Sequence, residues 1–109
     1  MADVLGTFEQ AVLLAITALR DEAYGRAILR EIESRLGRDV SPGAIQATLE
    51  RLENKDLVRS RLGSGTAVRA GRPRRYYRLE GSGVTALNEA RATVENLWRG
   101  LPWPLKGTT

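Results

Sequence analysis

Eight basic side chains, Lys55, Arg59, Arg61, Arg69, Arg72, Arg74, Arg75 and Arg78, fall within one stretch that holds a single acid, Asp56. Elsewhere nine basic residues face twelve acidic ones, so the formal charge of +4 hides a local excess of cation beside a mildly acidic remainder. Guanidinium groups present a planar fork of donors that matches the oxygens of a phosphate. Clustered arginines therefore give the electrostatic footprint of a polyanion site, with a merely solvated charged face as the alternative that count alone does not separate. Gln46 is a second residue with relevant chemistry, because a glutamine amide can pair in a bidentate manner with adenine in a DNA major groove. The same amide is also at home on an exposed helix with no function.

Other chemistries lack their residues. Histidine and cysteine are both absent, which removes the usual general base near neutral pH, thiolate nucleophiles, disulfides and the commonest zinc ligands. There is no Walker-type glycine loop, and Glu50 with Glu53 reads as a helix surface. No catalytic residue, metal site or cofactor is expected, and an enzyme is the least supported class. A chain without cysteine fits a reducing compartment. The apolar run from Ala11 to Leu19 is interrupted by Thr17, closed by Arg20-Asp21-Glu22 and too short to span a bilayer. A cytoplasmic protein without membrane contact is the expectation.

The elements that must carry these residues follow from caps and periodicity. Thr7-Phe8-Glu9-Gln10 has the form of a capping box, and Val12, Leu13, Ile16 and Leu19 follow at helical spacing, so a first helix is expected from Thr7 to near Arg20. A second runs from about Tyr24 to Leu36, with Ile28, Ile32 and Leu36 on one face and Gly37 as its terminator. Ser41-Pro42 joins a serine N-cap to a proline at the first helical position and opens a third helix. Its apolar Ile45, Leu49 and Leu52 share one arc, while Gly43, Gln46, Ala47, Glu50 and Asn54 face away. Small residues early on the outward face, Gly43, Ala44 and Ala47, would allow close approach to base edges, although a surface helix with cheap small positions looks the same.

Leu57 to Leu62 and Arg74 to Leu79 read as two strands of a hairpin. The connection from Gly63 to Pro73 holds Gly63, Ser64, Gly65 and Gly71 and is expected to be a flexible cationic tip. Strand alternation puts Tyr76 on the face of Arg74 and Arg78, and Tyr77 on that of Leu79; alternation alone leaves either as the inward one, and Tyr77 is the choice for the core. A last helix from Ser82-Gly83 to Arg99 carries Val84, Leu87, Val94, Leu97 and Trp98, followed by Leu101, at a spacing close to a heptad seam. At about 27 Å for about 18 residues it outreaches so small a core, which points to self-association. The tail from Leu101 to Leu105 contains two prolines and cannot continue the helix, so Trp103 either packs back or stays mobile.

Three helices, a basic hairpin and a long terminal helix make an α+β fold, mainly α, in the order of a winged helix-turn-helix with a long C-terminal dimerisation helix. Residues 1–81 would form the DNA-binding region and 82–109 the dimerisation helix and tail, within one compact domain. The motifs Ser41-Pro42-Gly43-Ala44-Ile45, Leu49-Glu50-Arg51-Leu52-Glu53, Leu57-Val58, Gly71-Arg72-Pro73 and Tyr76-Tyr77-Arg78-Leu79, together with Tyr24-Gly25, resemble the PadR family of bacterial transcriptional regulators. The similarity extends from Phe8 to about Leu101. The chain differs from the commonest pattern in Gln46-Ala47 for Tyr-Pro, in Asp56 for a glycine and in Glu80-Gly81-Ser82 for Thr-Glu-Ala.

The resemblance implies a homodimer that binds double-stranded DNA at an inverted repeat, usually as a repressor, and in many relatives is released by a small hydrophobic or aromatic effector. Ser41, Gly43, Ala44, Gln46, Ala47 and Arg51 would lie at base edges or adjacent phosphates, and Arg69, Arg72, Arg74 and Arg75 at phosphates or the minor groove. Leu13, Val84, Leu87, Val94, Leu97, Trp98 and Leu101 are the expected dimer contacts. Val94 stands where multidrug-responsive relatives place a pocket aromatic, with Trp98 one turn on; these two are the candidate effector site, against plain packing at a dimer seam. A winged helix that contacts an acidic protein and an architectural DNA binder without an operator are the rival readings.

Overall fold

The computed structural model describes residues 4–63, 68–69 and 72–107, apart from the side chains at 68, 69 and 72. The first helix, α1 (Thr7–Leu19), has Gly6 as its N-cap, one residue before the expected Thr7. The reason is Glu9, which sits three residues after Gly6 and accepts its amide hydrogen at 3.0 Å. A 3-10 turn, Arg20–Glu22, leads to α2 (Gly25–Leu36), which ends at Gly37 in the left-handed conformation, φ 69°. Helix α3 (Pro42–Asn54) begins as its caps require, with Ser41 Oγ accepting from the Ala44 amide at 3.0 Å.

The core lies where these three helices meet. Val12, Leu13 and Ile16 of α1, Ile28 and Ile32 of α2, and Ile45, Leu49 and Leu52 of α3 are buried together, and Val58 and Tyr77 close it from the hairpin side. Each fully buried aliphatic side chain of this kind contributes roughly 1.5–3 kcal/mol. One expectation is corrected here. Leu13 is wholly enclosed within a single chain and has no surface to offer a partner subunit, because it packs in the core cluster while its neighbour Leu14 takes the exposed position.

Strand β1 (Val58–Leu62) pairs antiparallel with β4 (Arg75–Leu79), in register Ser60 with Tyr77 and Arg61 with Tyr76. Further out, β2 (Val68–Arg69) pairs with β3 (Arg72–Pro73). Residues 64–67 and 70–71 of the expected flexible tip, and the side chains of Arg69 and Arg72, lie outside the described residues. The hairpin is seated on the helices through backbone: Tyr24 bridges to Tyr76 as a one-residue third strand, and the Tyr77 amide donates to the Ala23 carbonyl at 2.8 Å.

Helix α4 (Gly81–Trp98) starts at the base of the hairpin. The Glu80 amide donates to the Leu57 carbonyl at 2.9 Å, and Ser82 Oγ donates to the Asp56 carbonyl at 2.6 Å. Leu87 packs against the edge of the core, but Val84, Val94 and Leu97 are exposed, and the chain extends over 60 × 31 × 21 Å. Beyond the helix, Trp103 turns back to set its ring edge-on to Trp98, 5.4 Å between centroids, while staying 81% exposed. No helix among the described residues is long and apolar enough to cross a membrane.

Asp56 follows α3 with φ 61°, a left-handed conformation that costs residues with a Cβ. Asp56→Gly is expected to raise stability by roughly 0.5–1 kcal/mol. Urea denaturation should show a higher midpoint at unchanged slope; an unaltered midpoint would mean the aspartate carries no strain.

Candidate nucleic-acid interface

On α3 the small and polar positions are outward as the spacing predicts: Ser41, Gly43, Ala44, Gln46 and Ala47 are exposed, with Ile45, Thr48 and Leu49 turned inward. Ser41 spends its hydroxyl on the helix cap. Gln46 lies toward the hairpin, beside Tyr77 in one recess. Burial pushes the Tyr77 phenol up, and Gln46 partly offsets it. A recess of about 220 Å³ forms at this junction, lined by Tyr24, Gly25, Arg26, Gln46, Arg74, Arg75 and Tyr77. The fold thus brings one of the candidate residues of α3 to two of the candidate arginines of the hairpin, and adds Tyr24 and Arg26 from the start of α2.

Arg75 is tied into this junction by side chains. Its Nη1 donates to Ser60 Oγ at 3.0 Å, and Ser60 Oγ donates to Glu53 of α3 at 2.8 Å. Arg74 lies over the Tyr24 ring, 4.1 Å from its centroid, and Arg61 lies over Tyr76 at 5.1 Å. Strand alternation had marked Tyr76 only as the partner of arginines on one face; its contact with Tyr24, a residue 52 positions away, has no local signal.

Arg51 is held differently. Its Nε donates to Glu9 Oε2 at 3.2 Å and its Nη2 to Thr48 Oγ1 at 3.3 Å, while Lys55 Nζ reaches the same Glu9 oxygen at 3.0 Å. Glu9, at 8% exposure, is one of two buried polar side chains in the described core. Burial alone would raise its pKa, but the Gly6 amide, Lys55 and Arg51 together bring it below the ordinary glutamate value. This cluster ties the start of α1 to the C-terminal half of α3, and sequence reading missed Glu9 because its partners are more than 40 residues distant.

Of the seven expected dimer contacts, Val84, Val94, Leu97 and Leu101 are exposed on or just beyond α4, Leu87 and Trp98 are half-buried, and Leu13 is enclosed. Trp98 meets Trp103 of its own chain. Among the described residues no group of three or more acidic side chains is placed to hold a metal ion.

A family model described as the transcriptional regulator PadR-like family matches residues 12–89. A Mycobacterium tuberculosis protein, transcriptional regulator Rv3488, is 42% identical over 82 residues, which cover 75% of this chain and 72% of that protein. A PadR-like transcription factor of Bacteroides fragilis superposes with a TM-score of 0.68 at 30% identity, over 84% of each chain. A PadR family transcriptional regulator of Eggerthella lenta does so with a TM-score of 0.64 at 29% identity, over 82% of this chain and 75% of that one.

The Glu9 cluster sets a pH dependence. Because the folded-state pKa is lowered, its stabilisation is full above the unfolded value of about 4.3 and is lost as pH falls through the lower folded value. Glu9→Gln should cost roughly 1–3 kcal/mol at pH 7, and the gap to the natural protein should close in urea melts toward pH 3. A gap that stays constant with pH would show that charge is not what Glu9 supplies.

Proposed function

From membership of the PadR-like family of transcriptional regulators, to which this chain belongs, we propose that the protein binds an inverted-repeat operator as a homodimer and represses transcription there. The observation that carries this reading is the recess where Gln46 of the third helix meets Arg74 and Arg75 of the hairpin. A recognition helix flanked by cations at its side is the arrangement a major groove and its bordering phosphates require. In this reading Gly43, Ala44, Gln46 and Ala47 approach base edges and Ser41 orders the first turn. Arg69, Arg72, Arg74 and Arg75 meet phosphates or the minor groove. Arg51, bonded to Glu9 but with half of its side chain exposed, lies at an adjacent phosphate.

Val84, Leu87, Val94, Leu97, Trp98 and Leu101 form the seam with a second copy, supported by the exposed apolar side chains of α4. A small hydrophobic or aromatic effector would enter this seam beside Val94 and Trp98 and release DNA by changing the spacing of the two recognition helices.

The deciding experiment is selection of fragmented genomic DNA by the purified protein at near-physiological salt, followed by sequencing. Enrichment of an inverted repeat is the expected result. Retention without enrichment would turn the reading to an architectural binder, and no retention to a protein-contact module. Separately, Val94→Glu with Leu97→Glu should give monomers in sedimentation and weaken binding to the enriched site at least tenfold, since half-sites would be engaged singly. A variant that sediments as a dimer would sink the seam assignment.

A further inference from the structure

Four side chains at the root of the hairpin alternate as cation, ring, ring, cation. Arg61 lies over the Tyr76 ring at 5.1 Å, Tyr76 meets Tyr24 edge-on at 5.7 Å and 71°, and Arg74 lies over Tyr24 at 4.1 Å. Tyr76, first among the neighbours, holds the Arg74 pKa above the ordinary arginine value. Both rings are fixed by backbone, because Tyr24 and Tyr76 are themselves the bridge that joins the helices to the hairpin. Neither ring fills the core, where Tyr77 takes the inward place; both are half-buried and line the root of the hairpin.

Gly63 completes the cluster. Its amide donates to the Arg74 carbonyl at 2.6 Å, and a Cβ there would stand 2.7 Å from Tyr76 Cε1 and 3.4 Å from that carbonyl. A side chain at 63 would force the Tyr76 ring to shift, and with it the ring's edge-on contact with Tyr24 beneath Arg74. The held guanidinium opens on the recess shared with Arg26, Gln46 and Arg75, on the side of α3.

Resting on the DNA-binding role proposed above, we propose that Tyr24 and Tyr76 are positioning residues that hold Arg74 in place for a backbone phosphate before DNA arrives, with Gly63 as the residue that leaves them room. An arginine free in water surrenders much rotamer freedom when it closes on a phosphate. Here the Tyr24 ring, braced by Tyr76, has already removed part of that freedom; without it the entropic cost exceeds what one exposed phosphate contact returns, and the contact is not made. The rings act through Arg74 and need not touch DNA themselves.

The test uses the full chain and a random-sequence duplex, titrated by fluorescence anisotropy over a series of salt concentrations. Tyr24→Leu should weaken binding about threefold to fivefold. It should also flatten the logarithmic salt slope by about 0.9, the value of one phosphate contact, as Arg74→Ala does. Tyr24→Phe should restore both, and Gly63→Ala should behave like Tyr24→Leu. Adding Tyr24→Leu to Arg74→Ala should have no further effect, because the ring then has nothing to position. A Tyr24→Leu loss with an unchanged slope, or one that adds in full to Arg74→Ala, would overturn the inference and leave the tyrosines a purely structural role. Failure of the natural protein to bind the duplex at low salt would overturn the DNA-binding reading instead, a result distinct from either.

Discussion

The arrangement depends on how the hairpin is seated. One amide, that of Tyr77, reaches the Ala23 carbonyl, and the ring on the same residue fills the last side of the core and meets Gln46. Hydrogen bond, packing and side-chain contact thus act at a single residue of β4, and they fix the hairpin to the start of α2 and to α3 together. A two-stranded ribbon is marginal in water by itself. This one has its angle imposed by the helices, and only for that reason can cations on the ribbon and an amide on α3 share one recess.

A second constraint works from the opposite end of α3. Glu9 holds Arg51 and Lys55 across the α1–α3 contact while capping its own helix through Gly6. A carboxylate so enclosed is costly unless each oxygen is satisfied, and here Oε1 takes the amide and Oε2 takes both cations. Helix α3 is therefore gripped by hydrogen bonds at its hairpin side, through Glu53 and Ser60, and by charge at its α1 side. Its small outward positions, Gly43, Ala44 and Ala47, lie on the N-terminal side of both anchors.

What could be read from sequence was whatever is decided within a few residues. Ser41-Pro42, the Ile45–Leu49–Leu52 arc, Gly37 and the strand alternation that sets Tyr76 and Tyr77 on opposite faces are local signals, and the structure carries each of them out. The order of elements followed from the same signals, and the family motifs matched it. Legibility failed where partners are far apart in the chain. The cap of α1 moved to Gly6 because two residues, Glu9 and Gln10, could each close a box, and only the former also found cationic partners in and just beyond α3. Leu13 lies on the apolar stripe with Val12, Ile16 and Leu19, and that spacing pointed to the core and not to a partner subunit. That Arg51 engages Glu9, 42 residues away, has no local signal at all.

The fastening of α4 gives the molecule the proportions of a lever. Its first turn is bonded to the carbonyls of Asp56 and Leu57 at the root of the hairpin, while from Glu89 outward it runs largely clear of its own chain. With a rise of 1.5 Å per residue, each 5° of tilt at that fulcrum carries the Trp98 end through roughly 2 Å. Small angular adjustments at the base are magnified into translations at the tip, and a load applied near Trp98 and Trp103 is returned to the root of the hairpin as torque.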